Sequence, residues 1–275
     1  MVTEADKRRA EDLKTEGNRL FARGKFDAAA EKYTESLTLW PDWTVPLVNR
    51  ATCHKKKGNW AKVEEDCRAA ISLNSTLMKA HYFLGQALEM QEAYAESIRH
   101  LTKALESARE SEDQIKDEIW RELARVKYNQ WEQQSAERKA EQMWLRERFS
   151  DLVMAKHKEE LEDPVDYVNT VAKHKEEWAA IDRLFDLASA KDRLSEPSNT
   201  FTCRLTMEIF RDPVATPSGI SYERSALMDH LNKLGNFDPV TRQPVSASQL
   251  VQNLGLRAAT QEYLDDRPWA WKDCM

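Results

Sequence analysis

Lys14 and Asn18 stand four residues apart, so a helix carries both on one face. Asn49 and Lys79 bring the same two side-chain types further along the chain. Two ammonium groups and two carboxamides on one strip would make a receptor for paired carboxylates, with charge from the lysines and directed hydrogen bonds from the amides. A peptide ending in a free carboxylate beside an Asp or Glu fits such a strip. Any one of these residues alone reads equally well as ordinary helix surface.

Other chemistries are poorly supplied. The four cysteines (Cys53, Cys67, Cys203, Cys274) form no CxxC pair, and the histidines at 54, 81, 100, 157, 174 and 230 are scattered. No Cys/His cluster has metal-ligand spacing, so neither a metal nor a cofactor is expected. There is no Gly-rich phosphate loop and no GxSxG, which sets a hydrolase aside. Cys203 adjoins Arg204 but has no histidine nearby in sequence, and Cys274 is the penultimate residue; neither has the setting of a reactive thiolate.

The elements that must position the Lys/Asn strip follow from a repeat. Gly17, Ala51 and Gly85 recur at a 34-residue step. The same step links Phe26, Trp60 and Tyr94, then Tyr33, Cys67 and Leu101, and also Gly24, Gly58 and Glu92. Each unit reads as a helix–turn–helix, with first helices near 10–23, 44–57 and 78–91. Stacked, the units make a solenoid whose concave face is lined by those first helices. In repeat phase Asn49 falls between Lys14 and Asn18, one hairpin along, and Phe83 occupies the position of Asn49 in the next.

Between Gly85 and Gly219 there is no glycine, and the stretch is rich in helix formers. Ile119, Leu123 and Val126 form a stripe suited to sealing the last repeat. The Glu-Asp-Pro-Val-Asp run at 162–166 is expected to turn the chain, and a second helix then carries Val168, Val171, Trp178, Ile181, Phe185 and Ala188. Such a hairpin is expected to pack on a second copy as a homodimer, with a monomeric spacer folded on itself as the rival reading. After Pro197 turn signals cluster, and a small α+β module is expected over 197–275, with a strand pair near 219–221 and helices over 223–234 and 254–264. Pro213, Tyr222, Leu227, Leu231 and Leu254 are expected in its core or turns. The fold class is therefore mainly α: repeats over 1–110, a charged helical hairpin over 111–196 and an α+β module over 197–275.

About 32% of the residues are charged, the net charge is −6 and both signs are interspersed, which gives no nucleic-acid footprint. No run reaches the roughly 18 apolar residues of a membrane span. The N-terminal stretch has no apolar core of a secretory signal, so reduced thiols and a cytoplasmic location, with the nucleus as a second compartment, are expected.

The repeats resemble the tetratricopeptide (TPR) family. The strip resembles the carboxylate clamp of TPR co-chaperones, whose partners are the acidic C-terminal tails of Hsp70 and Hsp90. That resemblance implies tail-binding roles for Lys14, Asn18, Asn49 and Lys79, with Tyr82 and Phe83 as an apolar shelf. Many clamps carry arginine where Phe83 stands. An acidic clamp residue falls at Asp113 or Asp117. The segments Cys203-Arg-Leu-Thr-Met-Glu-Ile-Phe-Arg-Asp-Pro-Val and Phe237-Asp-Pro-Val-Thr-Arg-Gln-Pro closely resemble the U-box, a zinc-free RING-like fold. Repeats, hairpin and U-box in this order resemble the TPR/U-box co-chaperone ubiquitin ligases. The resemblance implies that Leu205, Met207, Pro239 and Arg242 meet a ubiquitin-conjugating E2, with His230 on the intervening helix as a contact or a structural hydrogen bonder. Leu205 could also be core. Arg242 would bridge E2 and ubiquitin as the catalytic group, ubiquitin staying on the E2 until it passes to chaperone-bound misfolded clients. A pure adaptor is the rival reading.

Overall fold

The computed structural model describes residues 2–162, 166–192 and 195–275. Helices alternate with short turns through α1 (Glu4–Ala22), α2 (Phe26–Leu39), α3 (Thr44–Lys56), α4 (Trp60–Leu73), α5 (Met78–Glu89) and α6 (Tyr94–Glu110). Phe26, Trp60 and Tyr94 each open a second helix, at the expected step. Thr3 starts α1 through a capping box: its hydroxyl accepts from Asp6 N, and the Asp6 carboxylate accepts from Thr3 N.

The repeated small residues set how closely paired helices approach. A Cβ at Gly17 would lie 2.6 Å from the Tyr33 ring, and one at Gly85 would lie 2.6 Å from Leu101. Ala51 tolerates its methyl because the residue opposite in repeat phase is the smaller Cys67; both are fully buried in one cluster with Leu84 and Leu88. Gly24 and Gly58 turn the chain with φ of 74° and 71°, and Glu92 makes the same left-handed turn at 59° without glycine's freedom.

The long helix α7 (Lys116–Glu162) follows. Ile119, Leu123 and Val126 are buried, as the sealing stripe requires. The chain divides into two compact units, one running to Lys127 and the other spanning Tyr128–Cys274. In the second, α7 pairs antiparallel with α8 (Tyr167–Ala188): Phe149 meets Phe185, Arg146 pairs with Asp182 at 2.6 Å, and the His157 and His174 rings stack at 3.5 Å. Of the expected break at 162–166, residues 163–165 lie outside the described residues. Asp166 caps α8 through the Asn169 N–H.

The C-terminal module is built on a three-stranded antiparallel sheet in the order β2-β1-β3: β1 (Pro213–Ala215), β2 (Ser221–Glu223) and β3 (Val251–Gln252). Val214 pairs with Tyr222 on one side and Gln252 on the other. The expected strand pair near 219–221 is therefore displaced: Gly219 (φ 82°) lies in the turn, and strands flank it. α9 (Arg224–Lys233) packs Leu227 and Leu231 against Tyr222, Val214 and Phe210. α10 (Leu254–Asp266) starts at a side-chain cap from Asn253, which leaves Leu254 exposed at the first helical position instead of in the core. A final 3-10 segment (Pro268–Cys274) buries Trp269, Trp271 and Cys274.

Candidate functional site

The groove of the first unit is built from α1, α3, α5 and the start of α7. Asn18 and Asn49 meet there. Asn18 Oδ1 accepts from Asn49 Nδ2 at 3.2 Å and from the buried Tyr33 hydroxyl at 2.7 Å. That phenol fixes which way the Asn18 amide points, so its Nδ2 is left to donate outward. Lys14 lies one turn earlier on α1, its Nζ 5.5 Å from the Trp43 ring centre. Lys79 is exposed on the first turn of α5.

The groove departs from expectation at Tyr82, and two further residues, Glu118 and Lys55, come to line it. Tyr82 is only 2% exposed, so it forms wall and not open shelf, and its hydroxyl donates to Glu118 Oε1 at 2.7 Å. Burial, then that hydrogen bond, drives its phenol well above the ordinary range. Phe83 remains as the partly open ring. Asp113 accepts from Ile115 N at the turn before α7. Glu118, which the sequence did not single out, accepts from Tyr82 at the groove wall. Lastly, Lys55, which the sequence reading passed over, lies above both rings, 4.8 Å from the centre of Phe83 and 5.4 Å from that of Tyr82.

The second unit presents two loops of the same construction. In the first, Cys203 N donates to Glu208 O and Met207 N to Cys203 O, both at 2.8 Å. In the second, Asp238 N donates to Gln243 O at 2.8 Å and Arg242 N to Asp238 O at 2.9 Å. Met207 and Arg242 sit at equivalent points with φ of 59° and 61°. Both turns therefore hold a non-glycine residue in the left-handed region and project its side chain outward. Met207 is 73% exposed and Arg242 is exposed, its guanidinium 5.0 Å from the Phe237 ring centre. Leu205 is exposed as well, not core, and Pro239 is half-buried.

Adjacent residues of β2 pin the two loops. Glu223 N donates to Cys203 Sγ at 3.2 Å, and the Glu223 carboxylate accepts from Arg211 N and Asp212 N. Tyr222 Oη donates to Asp238 Oδ1 at 2.9 Å. Asp238 is fully buried and also accepts from Thr216, Ser218, Val240 N and Thr241 N. Burial works against its charge, but these donors outweigh burial and hold the carboxyl below the ordinary range. Thiol sulfur and carboxylate thus stand where loops of this kind need a central acceptor. His230 takes a supporting place: its Nε2 bonds Phe237 O at 3.0 Å and its ring stands edge-on to Phe237, so it braces the second loop from α9 while staying half-buried.

The U-box domain family matches residues 198–269. The E3 ubiquitin-protein ligase CHIP of Arabidopsis thaliana is 39% identical over 277 residues, covering 99% of each chain. This chain belongs to the CHIP family of E3 ubiquitin-protein ligases. The repeats alone are similar to the human mitochondrial import receptor subunit TOM70, 31% identical over 99 residues, 34% of this chain and 16% of that one. A solved structure of the first TPR of Spaghetti (RPAP3) bound to an HSP90 peptide, SRMEEVD, is 28% identical and covers 44% of this chain and 91% of its own, with a TM-score of 0.40. As a CHIP-family chain with TPR hairpins before its U-box, the protein is a co-chaperone E3 ubiquitin ligase.

For a CHIP-family ligase the state of the thiols matters. All four cysteines are buried. Burial pushes Cys53 up to about 11 and both Cys67 and Cys274 up to about 12, far from thiolate at neutral pH. Cys203 is 1% exposed, and its sulfur is engaged by two backbone N–H groups. Four buried thiols fit a ligase that acts as a scaffold, with no cysteine placed to take ubiquitin as a thioester.

Proposed function

We propose that the TPR groove holds the acidic C-terminal tails of Hsp70 and Hsp90 while the two U-box loops seat a ubiquitin-charged E2, so that ubiquitin passes to misfolded clients held by the chaperone. The Asn18–Asn49 contact is the observation that carries the first half. It places two amides from different repeats side by side, with Lys14 one turn away, and this suits a terminal carboxylate and its neighbour.

For the second half, the exposed Leu205 and Met207 on one loop, and Pro239 and Arg242 on the other, supply an apolar contact with a cationic edge. Met207 is unbranched and adapts to differing partner surfaces. Arg242 offers a planar fork of donors able to bridge E2 and ubiquitin. Its contribution is to hold the E2-bound ubiquitin in a reactive geometry, and the rate gain comes from proximity and orientation. The exposed apolar residues of the hairpin support a homodimer. We propose the cytoplasm as its compartment, with the nucleus second.

The test uses the full chain and tail peptides with free or amidated C-termini. Lys14→Ala should abolish tail binding and leave self-ubiquitination with E1, E2 and ATP intact; Arg242→Ala should do the reverse. Equal affinity for free and amidated peptides would overturn the groove assignment.

A further inference from the structure

Lys55 lies on α3, C-terminal to Asn49 and facing α5. Its side chain is half-buried, and among the described residues it makes no hydrogen bond or ion pair. A lysine that only covers apolar surface extends its head into water. Here the ammonium is instead within 5.4 Å of two ring centres. Glu118 and Glu122 act on it through space, yet both are committed elsewhere. Glu118 accepts from Tyr82, and Glu122 accepts from Gln86 Nε2 at 3.0 Å and Arg125 at 2.8 Å. Burial outweighs the two glutamates and pushes the Lys55 ammonium below its ordinary range, so this cation is under-compensated and gains from any anion that arrives.

The concave surface therefore holds an unpaired cation on the shelf where an apolar contact was expected. We propose that Lys55 is a specificity-determining cation of the groove, pairing with an acidic side chain of the bound tail upstream of its terminal carboxylate. The inference rests on the groove being a tail receptor. It gives the ring pair a second purpose: Tyr82 and Phe83 hold the ammonium by cation–π attraction, keeping it in position for the incoming carboxylate. It also selects among tails, since a peptide with only an apolar residue at that point would leave Lys55 buried and unpaired.

The experiment measures binding of fluorescent SRMEEVD, and of versions with either glutamate changed to Gln, to the full chain and to Lys55→Met. Methionine keeps an unbranched stem over the rings, and unchanged far-UV circular dichroism and thermal unfolding show that the variant is folded. One Glu→Gln peptide should bind the wild type about tenfold more weakly, the size of one charge-assisted hydrogen bond. Lys55→Met should weaken the unmodified peptide by the same factor and show no further loss with that Gln peptide, and Lys55→Arg should restore most of the affinity. Independent, multiplying losses, or Lys55→Met affinity within twofold of wild type, would overturn the inference. An amidated SRMEEVD separates the two claims: if it binds the wild type as tightly as the free peptide, the groove reading fails. If amidation abolishes binding while Lys55→Met does not matter, only the role of Lys55 fails.

Discussion

Tyr222 Oη donates a 2.9 Å hydrogen bond to Asp238 Oδ1 across the U-box, tying the strand that anchors the first loop to the heart of the second. Neighbouring Glu223 performs the matching task for Cys203, so both loops depend on two consecutive residues of β2. In a module this small, such a network substitutes for a metal staple.

Asp238→Asn should cost about 3 kcal/mol of U-box stability, because it turns an acceptor oxygen into a donor facing other donors in a buried site. Self-ubiquitination should fall with it, while tail binding by the other unit persists. Ser218→Ala, which removes one donor to Asp238, should cost only about 1 kcal/mol and leave a folded domain. The carboxyl is held below its unfolded value, so its contribution is present above the ordinary carboxylate range near pH 3.9 and is lost as pH falls through the folded value. Urea midpoints read by tryptophan fluorescence should drop on acidification in the wild type. An Asp238→Asn midpoint equal to wild type would remove the carboxylate from this role.

The buried thiols predict how the enzyme behaves towards alkylation and non-reducing gels. Brief treatment of the native protein with iodoacetamide, followed by quenching, should leave E2-dependent chain formation within about twofold, since buried high-pKa thiols are inert. No ligase–ubiquitin thioester should be trapped, while the E2 thioester is plainly visible. A reducible ligase–ubiquitin band would contradict scaffold catalysis.

Local chemistry and periodicity were readable in the chain, and long-range side-chain partners were not. Phe26, Trp60 and Tyr94 announced the second helices because a solenoid repeats its packing in sequence, and Lys14, Asn18 and Asn49 were found through the same phase. Glu118 carried no mark in the sequence, because what places it at the groove wall is a hydrogen bond from Tyr82, 36 positions away. Lys55 carries no mark in the sequence, because the two rings beneath it are brought in by α5. The Asp238-Pro239 turn was legible, but the burial of its carboxylate was not, since three of its five donors are side chains brought in by the sheet and its turn.

Glu92 marks a stabilising substitution. It occupies the turn that Gly24 and Gly58 make in the other repeats, at φ 59°. A side chain in that region costs about 1 kcal/mol, which Glu92→Gly should recover. The expected rise in the melting temperature of the repeat unit is about 4 °C. A fall on this substitution would mean that the Glu92 side chain makes a compensating contact.

The hairpin offers the sharpest test of assembly. Its two helices are joined largely by polar pairs: His157 Nε2 bonds Glu177 at 2.9 Å, His174 Nε2 bonds Glu160 at 2.7 Å, and the two rings stack. That arrangement leaves Trp144, Leu152, Val168, Leu184 and Leu187 exposed, more apolar surface than a solitary hairpin has reason to carry. Burying a leucine against a second copy contributes about 1.5–3 kcal/mol, so Leu184→Asp with Leu187→Asp should raise the dimer dissociation constant by at least about a hundredfold. Light scattering at micromolar concentration should give twice the chain mass for the wild type and the single-chain mass for the double variant, with tail affinity unchanged because the groove lies wholly in the other unit. A wild type that stays monomeric at that concentration would make the hairpin a spacer and leave its apolar face to a different partner.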